Sequence, residues 1–205
     1  MKKKLIIFDC YGTLLHGPKS NPHTKFLANI GLEPKALREK LMTEKSVDWS
    51  TIRPITMLQK DFDKHKKDLD LELKIEMNNI FPILDDLPEK LTKLREKYTV
   101  VILSNLSEEY AEPIEQYLAP YVDKCFYSFE IGKVKPRLEA FQHVIDWYEQ
   151  EIGEIHPMEV MLVDDHSQNI NKIKFIGSQG ILVNNAHIES PCSIKAFFSW
   201  IDEQK

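Results

Sequence analysis

The side chains best suited to chemistry in this sequence form four polar clusters, each following a short apolar run. The clusters are Asp9 with Gly12 and Thr13, Ser104 with Asn105, Lys135, and Asp164 with Asp165. An aspartate close to Gly-Thr is by itself more often part of a turn than a reactive group. Three further clusters of complementary chemistry change that balance and point to one shared site.

The chemistry available in the first three clusters is the binding of an oxyanion. Gly12 permits a tight turn whose backbone N–H groups can face an anion, and the Thr13 hydroxyl can orient the Asp9 carboxylate. The second cluster offers a hydroxyl and an amide that can donate hydrogen bonds to phosphoryl or carboxylate oxygens. Lys135 can neutralise negative charge. Lys133 lies in the same loop, but the proline that follows Lys135 favours Lys135 for this role.

The fourth cluster predicts a metal site. Asp164 and Asp165 are adjacent acids at the end of an apolar run. Two neighbouring carboxylates are costly to hold together unless they share a proton or a cation. Mg²⁺ is a hard cation that prefers oxygen ligands, so it is the expected cofactor.

The apolar runs indicate the scaffold that brings these clusters together. They are Leu5–Phe8, Tyr98–Leu103, Cys125–Phe129, Val160–Val163 and Ile181–Val183. Most of them lack alternation of apolar and polar residues, which is typical of strands covered on both faces. Two sets of apolar residues at helical spacing lie between the runs: Leu87, Leu91 and Leu94, and Leu138, Phe141, Val144, Ile145 and Tyr148. This alternation predicts a doubly wound α/β fold, in which ligands bind beyond the carboxyl ends of parallel strands.

One long stretch interrupts the alternation of strands and helices. From about residue 17 to residue 80 the pattern is helical and punctuated by prolines, with no strand-like run. Its charged section, residues 61–74, predicts a helix with a solvated face and a packed side. Phe81-Pro82 is the expected point of return to the core, because a residue before proline resists helical geometry. We therefore expect an all-helical insertion.

The order of Asp9, Ser104, Lys135 and Asp164-Asp165, each after its own strand, resembles the haloacid dehalogenase-like hydrolase superfamily. The local strings Leu-Ser-Asn, Gly-Lys-Val-Lys-Pro and Val-Asp-Asp extend the resemblance over nearly the whole chain. It implies a Rossmann-like core of residues 1–16 and 81–205 and a helical cap of residues 17–80 that selects the substrate.

The resemblance also implies a role for each matching residue. Asp9 is expected to attack the substrate and form a covalent ester, Ser104 to bind the transferred group, and Lys135 to offset its charge. Magnesium is expected on Asp9, the Tyr11 backbone carbonyl and Asp165, with Asp164 as a further ligand. The remaining positions, Gly12, Thr13 and Asn105 together with Tyr11, are expected to contact the substrate.

Tyr11 is the main departure from the family pattern. Phosphatases of the family carry a second aspartate there as general acid and base, and a tyrosine with a pKa near ~10 is a poor base at neutral pH. His16 or His23 could replace that acid if the cap closes. Tyr11 also resembles the first motif of 2-haloacid dehalogenases, whose halide leaves without a proton.

Three functions are therefore open, and the acids favour the first. A Mg²⁺-dependent phosphatase acting on a small phosphorylated metabolite accounts for Asp164 and Asp165, which a metal-free 2-haloacid dehalogenase would not need. The third possibility is a weakly active or non-catalytic protein that binds phosphate and regulates another process.

Composition limits the partners of the protein. The chain has 205 residues, a formal net charge of −5 and a sequence pI near 5.8. A nucleic-acid binder needs a basic face, so a small-molecule substrate is expected instead. Four apolar residues near the amino terminus are too few for a signal-peptide core or a membrane span, and three scattered cysteines suggest neither disulfides nor zinc. We expect a cytoplasmic location.

Overall fold

The computed structural model describes residues 2–204, except for the side chains of residues 34–36 and 38. Its centre is a parallel sheet in the order β3-β2-β1-β4-β5. The strands are β1 (Lys4–Phe8), β2 (Tyr98–Ser104), β3 (Lys124–Tyr127), β4 (Val160–Asp164) and β5 (Gln179–Leu182). The helices are α1 (Pro22–Asn29), α2 (Pro34–Thr43), α3 (Gln59–Met77), α4 (Leu87–Lys97), α5 (Glu112–Tyr117), α6 (Ser128–Ile131), α7 (Leu138–Glu151), α8 (Ser167–Phe175) and α9 (Ile194–Glu203). Short 3₁₀ turns cover Trp49–Thr51, Glu108–Tyr110, Ala119–Tyr121 and Pro157–Glu159.

The sheet is buried on both faces, which confirms the parallel α/β fold expected from the apolar runs. Along β1, Ile6 and Phe8 belong to one apolar cluster and Leu5 and Ile7 belong to another. Successive side chains of a strand point to opposite faces, so a strand covered on both sides must be apolar throughout. Helices α4 and α9 pack in the first cluster, and α7 and α8 pack in the second.

Two strands differ in extent from the apolar runs. The run that predicts the third strand includes Ser128 and Phe129, which instead begin α6. Strand β5 starts at Gln179, two residues before its apolar run begins, and ends at Leu182, one residue before the run ends. This strand is the outermost one of the sheet and is only partly buried, so it can begin with Gln179 and Gly180. The apolar pattern alone therefore does not mark its start.

The sheet places the predicted site residues at the carboxyl ends of its strands. The chain builds β2 and β3 on one side of β1 and then returns to build β4 and β5 on the other, so the order reverses between β1 and β4. Phe8 is paired with Ile102 on β2 and with Val163 on β4. The Asp9 N–H continues this pattern by donating to the Val163 carbonyl at 2.9 Å. Ligand sites of open α/β sheets form at such a reversal.

The insertion of residues 17–80, between β1 and α4, is helical, as expected. It contains α1, α2, one 3₁₀ turn and α3. Its two ends lie side by side, because the His16 N–H donates to the Phe81 carbonyl and the Ile83 N–H donates to the Leu14 carbonyl. Apolar residues of these helices belong to the same continuous cluster as one face of the sheet. The insertion therefore packs on the core instead of forming a separate apolar centre.

None of the described helices combines the length and the apolar character that crossing a membrane requires.

Candidate active site

An ion-paired triad lies at the carboxyl ends of β1 and β4. The buried Lys135 Nζ donates hydrogen bonds to Asp9 Oδ1 at 2.5 Å and to Asp164 Oδ2 at 2.8 Å. Thr13 Oγ1 donates to the other Asp9 oxygen at 3.3 Å. Three of the four sequence clusters therefore meet at one amine. Ser104, from the remaining cluster, is buried at the end of β2, two positions beyond the partner of Phe8.

Burial controls the protonation of this triad. It raises the pKa of Asp9 to about 6, an effect that Lys135 opposes and the neighbouring charge of Asp164 reinforces. Burial lowers the pKa of Lys135, but the two carboxylates outweigh it and the net shift is upward. The amine stays protonated and supplies the positive charge that both carboxylates need.

The loop of Lys135 is held by Asn105. The Asn105 side-chain amide donates to the Lys135 carbonyl at 2.8 Å, and its oxygen accepts from the Lys135 N–H, also at 2.8 Å. We expected this amide to contact the substrate, and the structure shows that one of its N–H groups and its oxygen also hold the backbone of Lys135. Lys133 lies elsewhere, with its Nζ 3.2 Å from His143 Nδ1, so Lys135 is the lysine at Asp9.

The turn after Asp9 differs from expectation. The Gly12 N–H donates to the Leu15 carbonyl at 2.8 Å, and the Thr13 N–H donates to the Cys10 carbonyl at 3.2 Å. Both amides therefore close the turn and do not face an anion. The contribution of Thr13 to the site is its hydroxyl, which contacts Asp9.

Asp164 is a structural acceptor at the centre of the site. It is fully buried, and its carboxylate accepts from the His166 N–H at 2.8 Å and from Asn169 Nδ2 at 3.0 and 2.8 Å, in addition to Lys135. These donors occupy both oxygens. Asp164 thus fixes Lys135 and has little capacity left for the direct metal ligation suggested by the sequence.

Asp165 is better placed to bind a metal. About a quarter of its side chain is exposed (26%), and one of its oxygens lies 2.7 Å from His166 Nδ1. Asp164, Asp165 and His166 can bring one ligand atom each within 4.8 Å of one another. The donors are mainly carboxylate oxygens, which suits Mg²⁺. With Asp164 engaged by other donors, Asp165 is the carboxylate of this group best placed to bind the ion.

Gly12 makes room for the Asp165 carboxylate. A Cβ built on Gly12 would lie 2.5 Å from Asp165 Oδ2, and the residue has a φ of +87°. A side chain here would displace the carboxylate as well as strain the backbone.

We expect Gly12→Ala to lower kcat/KM by about a hundredfold, because a misplaced catalytic group commonly costs that much. Gly31→Ala is the matched control, since Gly31 also has a positive φ, of +74°, but a Cβ at this position would have no atom within 4 Å. Steady-state kinetics and thermal unfolding of both variants test this. Equal activity in the two variants would contradict a role for the Asp165 position.

The Tyr11 side chain is turned away from acid–base chemistry. Its hydroxyl donates to the Tyr110 carbonyl at 2.6 Å, and burial raises its pKa well above the usual value. Its ring packs edge-on against the Tyr110 ring, with centroids 6.3 Å apart. The hydroxyl therefore stays protonated and engaged.

We expect Tyr11→Phe to keep kcat within about threefold of the unmodified protein and to lose about 1 kcal/mol of stability, the usual contribution of one hydrogen bond. Kinetics and urea unfolding measure the two effects. A loss of kcat beyond a hundredfold would mean that the hydroxyl takes part in the reaction after all.

The two histidines considered as acids occupy different cavities. His16 packs against Phe81, with ring centroids 4.6 Å apart, and lines a cavity of about 430 Å³ together with Gly12 and Asp165. His23 is buried in α1 and lines a second cavity of similar volume together with Tyr11. Neither side chain hydrogen bonds to Asp9 among the described residues.

Asn185 is a site residue that the sequence did not indicate. Its amide donates to the Gly12 carbonyl at 2.8 Å and to the Thr13 carbonyl at 3.1 Å, and its oxygen accepts from the Ile194 N–H at 2.8 Å. It thus connects the turn after Asp9 to the start of α9. It lies in a loop of no recognisable pattern, so its sequence position carried no signal.

Comparison with known proteins gives the context for this geometry. A family model described as haloacid dehalogenase-like hydrolase matches residues 3–171, which is more than half of the chain. No curated protein matches the sequence significantly.

Solved structures share the fold at low sequence identity. A predicted HAD-like family hydrolase from Porphyromonas gingivalis is 21% identical over 100% of both chains, with a TM-score of 0.67. A HAD family enzyme from Bacteroides thetaiotaomicron in a magnesium complex is 20% identical over 93% of this chain and 98% of that chain, with a TM-score of 0.62. A dehalogenase is also 20% identical, over 95% of this chain and 89% of that chain, with a TM-score of 0.55. Structures described as phosphatases share the fold as well.

Proposed function

Because this chain belongs to the haloacid dehalogenase-like hydrolases and is therefore a hydrolase, we propose that it is a Mg²⁺-dependent phosphatase acting on a small phosphorylated metabolite. The observation that carries this proposal is the charge arrangement around Asp9. Lys135 pairs with Asp9 and Asp164. Among the described residues, the partly exposed Asp165 hydrogen bonds to the His166 side chain and pairs with no lysine or arginine. A divalent cation would balance that charge.

Asp9 is the proposed nucleophile. Lys135 and Thr13 hold its carboxylate by one hydrogen bond on each oxygen, which fixes its direction before substrate binds. A carboxylate oxygen would attack phosphorus in line, forming an O–P bond while the ester P–O bond breaks. The product is an aspartyl phosphate and the free alcohol, whose oxygen takes a proton from water. Attack by a second water on phosphorus then releases phosphate and restores Asp9.

The surrounding groups would stabilise charge on the phosphoryl oxygens. Ser104 can donate a hydrogen bond from the end of β2, and the Lys135 amine lies at the nucleophile itself. Mg²⁺, held by Asp9 and Asp165 with the Tyr11 carbonyl, would supply further positive charge when bound. Asn105, Asp164 and Asn169 act indirectly by holding Lys135 in place.

We assign the helical insertion, residues 17–80, the role of a cap over a core of residues 1–16 and 81–205. Its two connections to the core lie side by side at residues 14–16 and 81–83, as expected for a unit inserted at one point. Residues of α1 and α2 line the cavity next to Tyr11, so the insertion contributes to the surface that a substrate would meet.

The 2-haloacid dehalogenase is the second candidate function. Tyr11 at the position of the usual acid favours it, and a dehalogenase is among the proteins of the same fold. In that reaction Asp9 would attack carbon and displace halide. The adjacent acids, Asp164 and Asp165, place it second, because a metal-free site has no need of both charges.

One assay separates these functions. Phosphate release from acetyl phosphate and phenyl phosphate is measured with Mg²⁺ and with EDTA, alongside halide release from 2-chloropropionate without added metal. The proposal expects phosphate release that EDTA abolishes and no halide release. Metal-independent halide release would instead establish the dehalogenase. Binding of vanadate with no turnover of any phosphate ester would indicate a regulatory protein.

A further inference from the structure

A cavity beside Tyr11 adjoins the Asp9 site. It has a volume of about 430 Å³ and is lined by residues of the core and of the insertion, among them Tyr11, His23, Leu27, Met42, Asn105 and Tyr110. Tyr11 is two residues from Asp9, and Asn105 is hydrogen bonded to Lys135. A phosphate at Asp9 therefore has this cavity within reach of its ester oxygen.

The described lining of this cavity carries no lysine, arginine, aspartate or glutamate. Two carboxylates contact residues of this lining. Glu76 accepts a hydrogen bond at 2.6 Å from the hydroxyl of Ser20, a lining residue. Glu109 Oε2 lies 3.8 Å from His23 Nε2. An anion placed in the cavity would therefore meet negative charge at short range, with no lysine or arginine on the described wall to compensate for it, and the His23 ring already faces Glu109.

The same two carboxylates lie close enough to Tyr110 to act on its hydroxyl. Burial, with added contributions from Glu76 and Glu109, raises the pKa of Tyr110 to about 12. The pKa of Glu109 is lowered to about 2 despite its burial, because of its contacts with His23 and nearby donors. Glu109 is therefore ionised at neutral pH.

The wall of the cavity offers aromatic rings and a buried histidine that faces Glu109. The rings of Tyr11, Tyr110 and His23 all line it, and the His23 ring is parallel to that of Trp49, with centroids 6.1 Å apart. His23 is 8% exposed, and its Nε2 lies 3.8 Å from Glu109 Oε2, with neither atom in a closer hydrogen bond among the described residues.

We propose that this cavity selects phosphate esters whose alcohol carries a ring and no negative charge of its own. The proposal rests on the phosphatase function proposed above and specifies its substrate class. The rings of the wall would pack against the ring of the alcohol, and the two carboxylates that contact the wall would exclude alcohols that bear a carboxylate or a second phosphate.

The test compares phenyl phosphate with 4-carboxyphenyl phosphate in the unmodified protein. The carboxylated phenol is no poorer a leaving group, so slower hydrolysis reports on binding in the cavity. We expect kcat/KM to be about tenfold higher for phenyl phosphate, mostly through KM, as one unfavourable charge contact would give. Equal values for the two esters would overturn the proposal.

Met42→Lys tests the origin of the preference. Met42 is a half-buried lining residue of α2, and a lysine of similar length would bring a cation to the wall. We expect this change to remove most of the tenfold preference. Met158→Lys is the matched control at an exposed methionine outside the cavity, and it should keep the preference. The same preference in both variants would contradict the charge argument.

Acetyl phosphate separates this inference from the function on which it rests. Its acetyl group is too small to fill the cavity, so its hydrolysis reports on the Asp9 site alone. No Mg²⁺-dependent hydrolysis of acetyl phosphate would refute the phosphatase function itself. Hydrolysis of acetyl phosphate with equal use of the two aryl esters would leave the phosphatase standing and refute the selectivity.

Discussion

Asp9→Asn is expected to reduce the turnover of phenyl phosphate by at least about 10⁴-fold, in the range that loss of a catalytic nucleophile costs other hydrolases. The asparagine amide has the same shape but is not a nucleophile at neutral pH. Lys135 keeps its hydrogen bond to Asp164, so the amine stays in place and the fold is retained. The loss should therefore appear in kcat and not in the thermal unfolding temperature.

The control for this variant is Asp146→Asn, which neutralises an exposed aspartate on α7. It should leave the kinetics unchanged. Acid quenching during turnover adds a direct measurement, because a phosphoryl group should be found on the peptide that contains Asp9 in the unmodified protein and not in Asp9→Asn. Turnover of Asp9→Asn near the original rate, or a label on another residue, would remove Asp9 from the role of nucleophile.

The convergence of Asp9, Lys135 and Asp164 could be predicted from the sequence for a simple physical reason. Asp9 follows β1, Asp164 ends β4, and Lys135 lies in the loop after β3 and α6. Parallel strands bring their carboxyl ends to one side of the sheet, so residues that follow them lie close together. Strands β1, β2 and β4 are apolar on both faces, so unbroken apolar runs in the sequence mark their positions and the end of the sheet that they share. The position of the site therefore followed from the pattern of burial.

The roles of individual polar groups could not be predicted in the same way. The Asn105 amide and the Gly12 N–H both had the chemistry to bind an anion, yet each donates a hydrogen bond to a backbone carbonyl. Which donor remains free depends on loop geometry that spacing does not determine. Asn185 illustrates the converse, since it lies about 170 residues from its partners Gly12 and Thr13 in sequence.

Lys135→Met is expected to reduce both activity and stability. The change removes the cation from two buried carboxylates, Asp9 and Asp164, while keeping a side chain of similar length. Breaking a buried ion pair from one side costs about 3–5 kcal/mol, because the remaining charge has no partner. Loss of the same charge at the reaction centre should lower kcat about a thousandfold. Urea unfolding and steady-state kinetics measure the two losses.

The double variant Asp9→Asn/Lys135→Met shows whether the stability loss comes from charge. It removes one acid together with the cation, so the triad regains its original net charge and should regain much of its stability while staying inactive.

The pH dependence of stability provides a second check on the role of the Lys135 charge. The pKa of Asp9 in the folded protein is raised from 3.8 to about 6, so the folded state holds a proton that the unfolded state releases, and this favours the folded state in acid. Without Lys135 the pKa of Asp9 rises further, so the stability deficit of Lys135→Met should be smaller at about pH 5 than at about pH 8. A deficit that is independent of pH and additive in the double variant would mean that Lys135 stabilises the fold by packing and not by its charge.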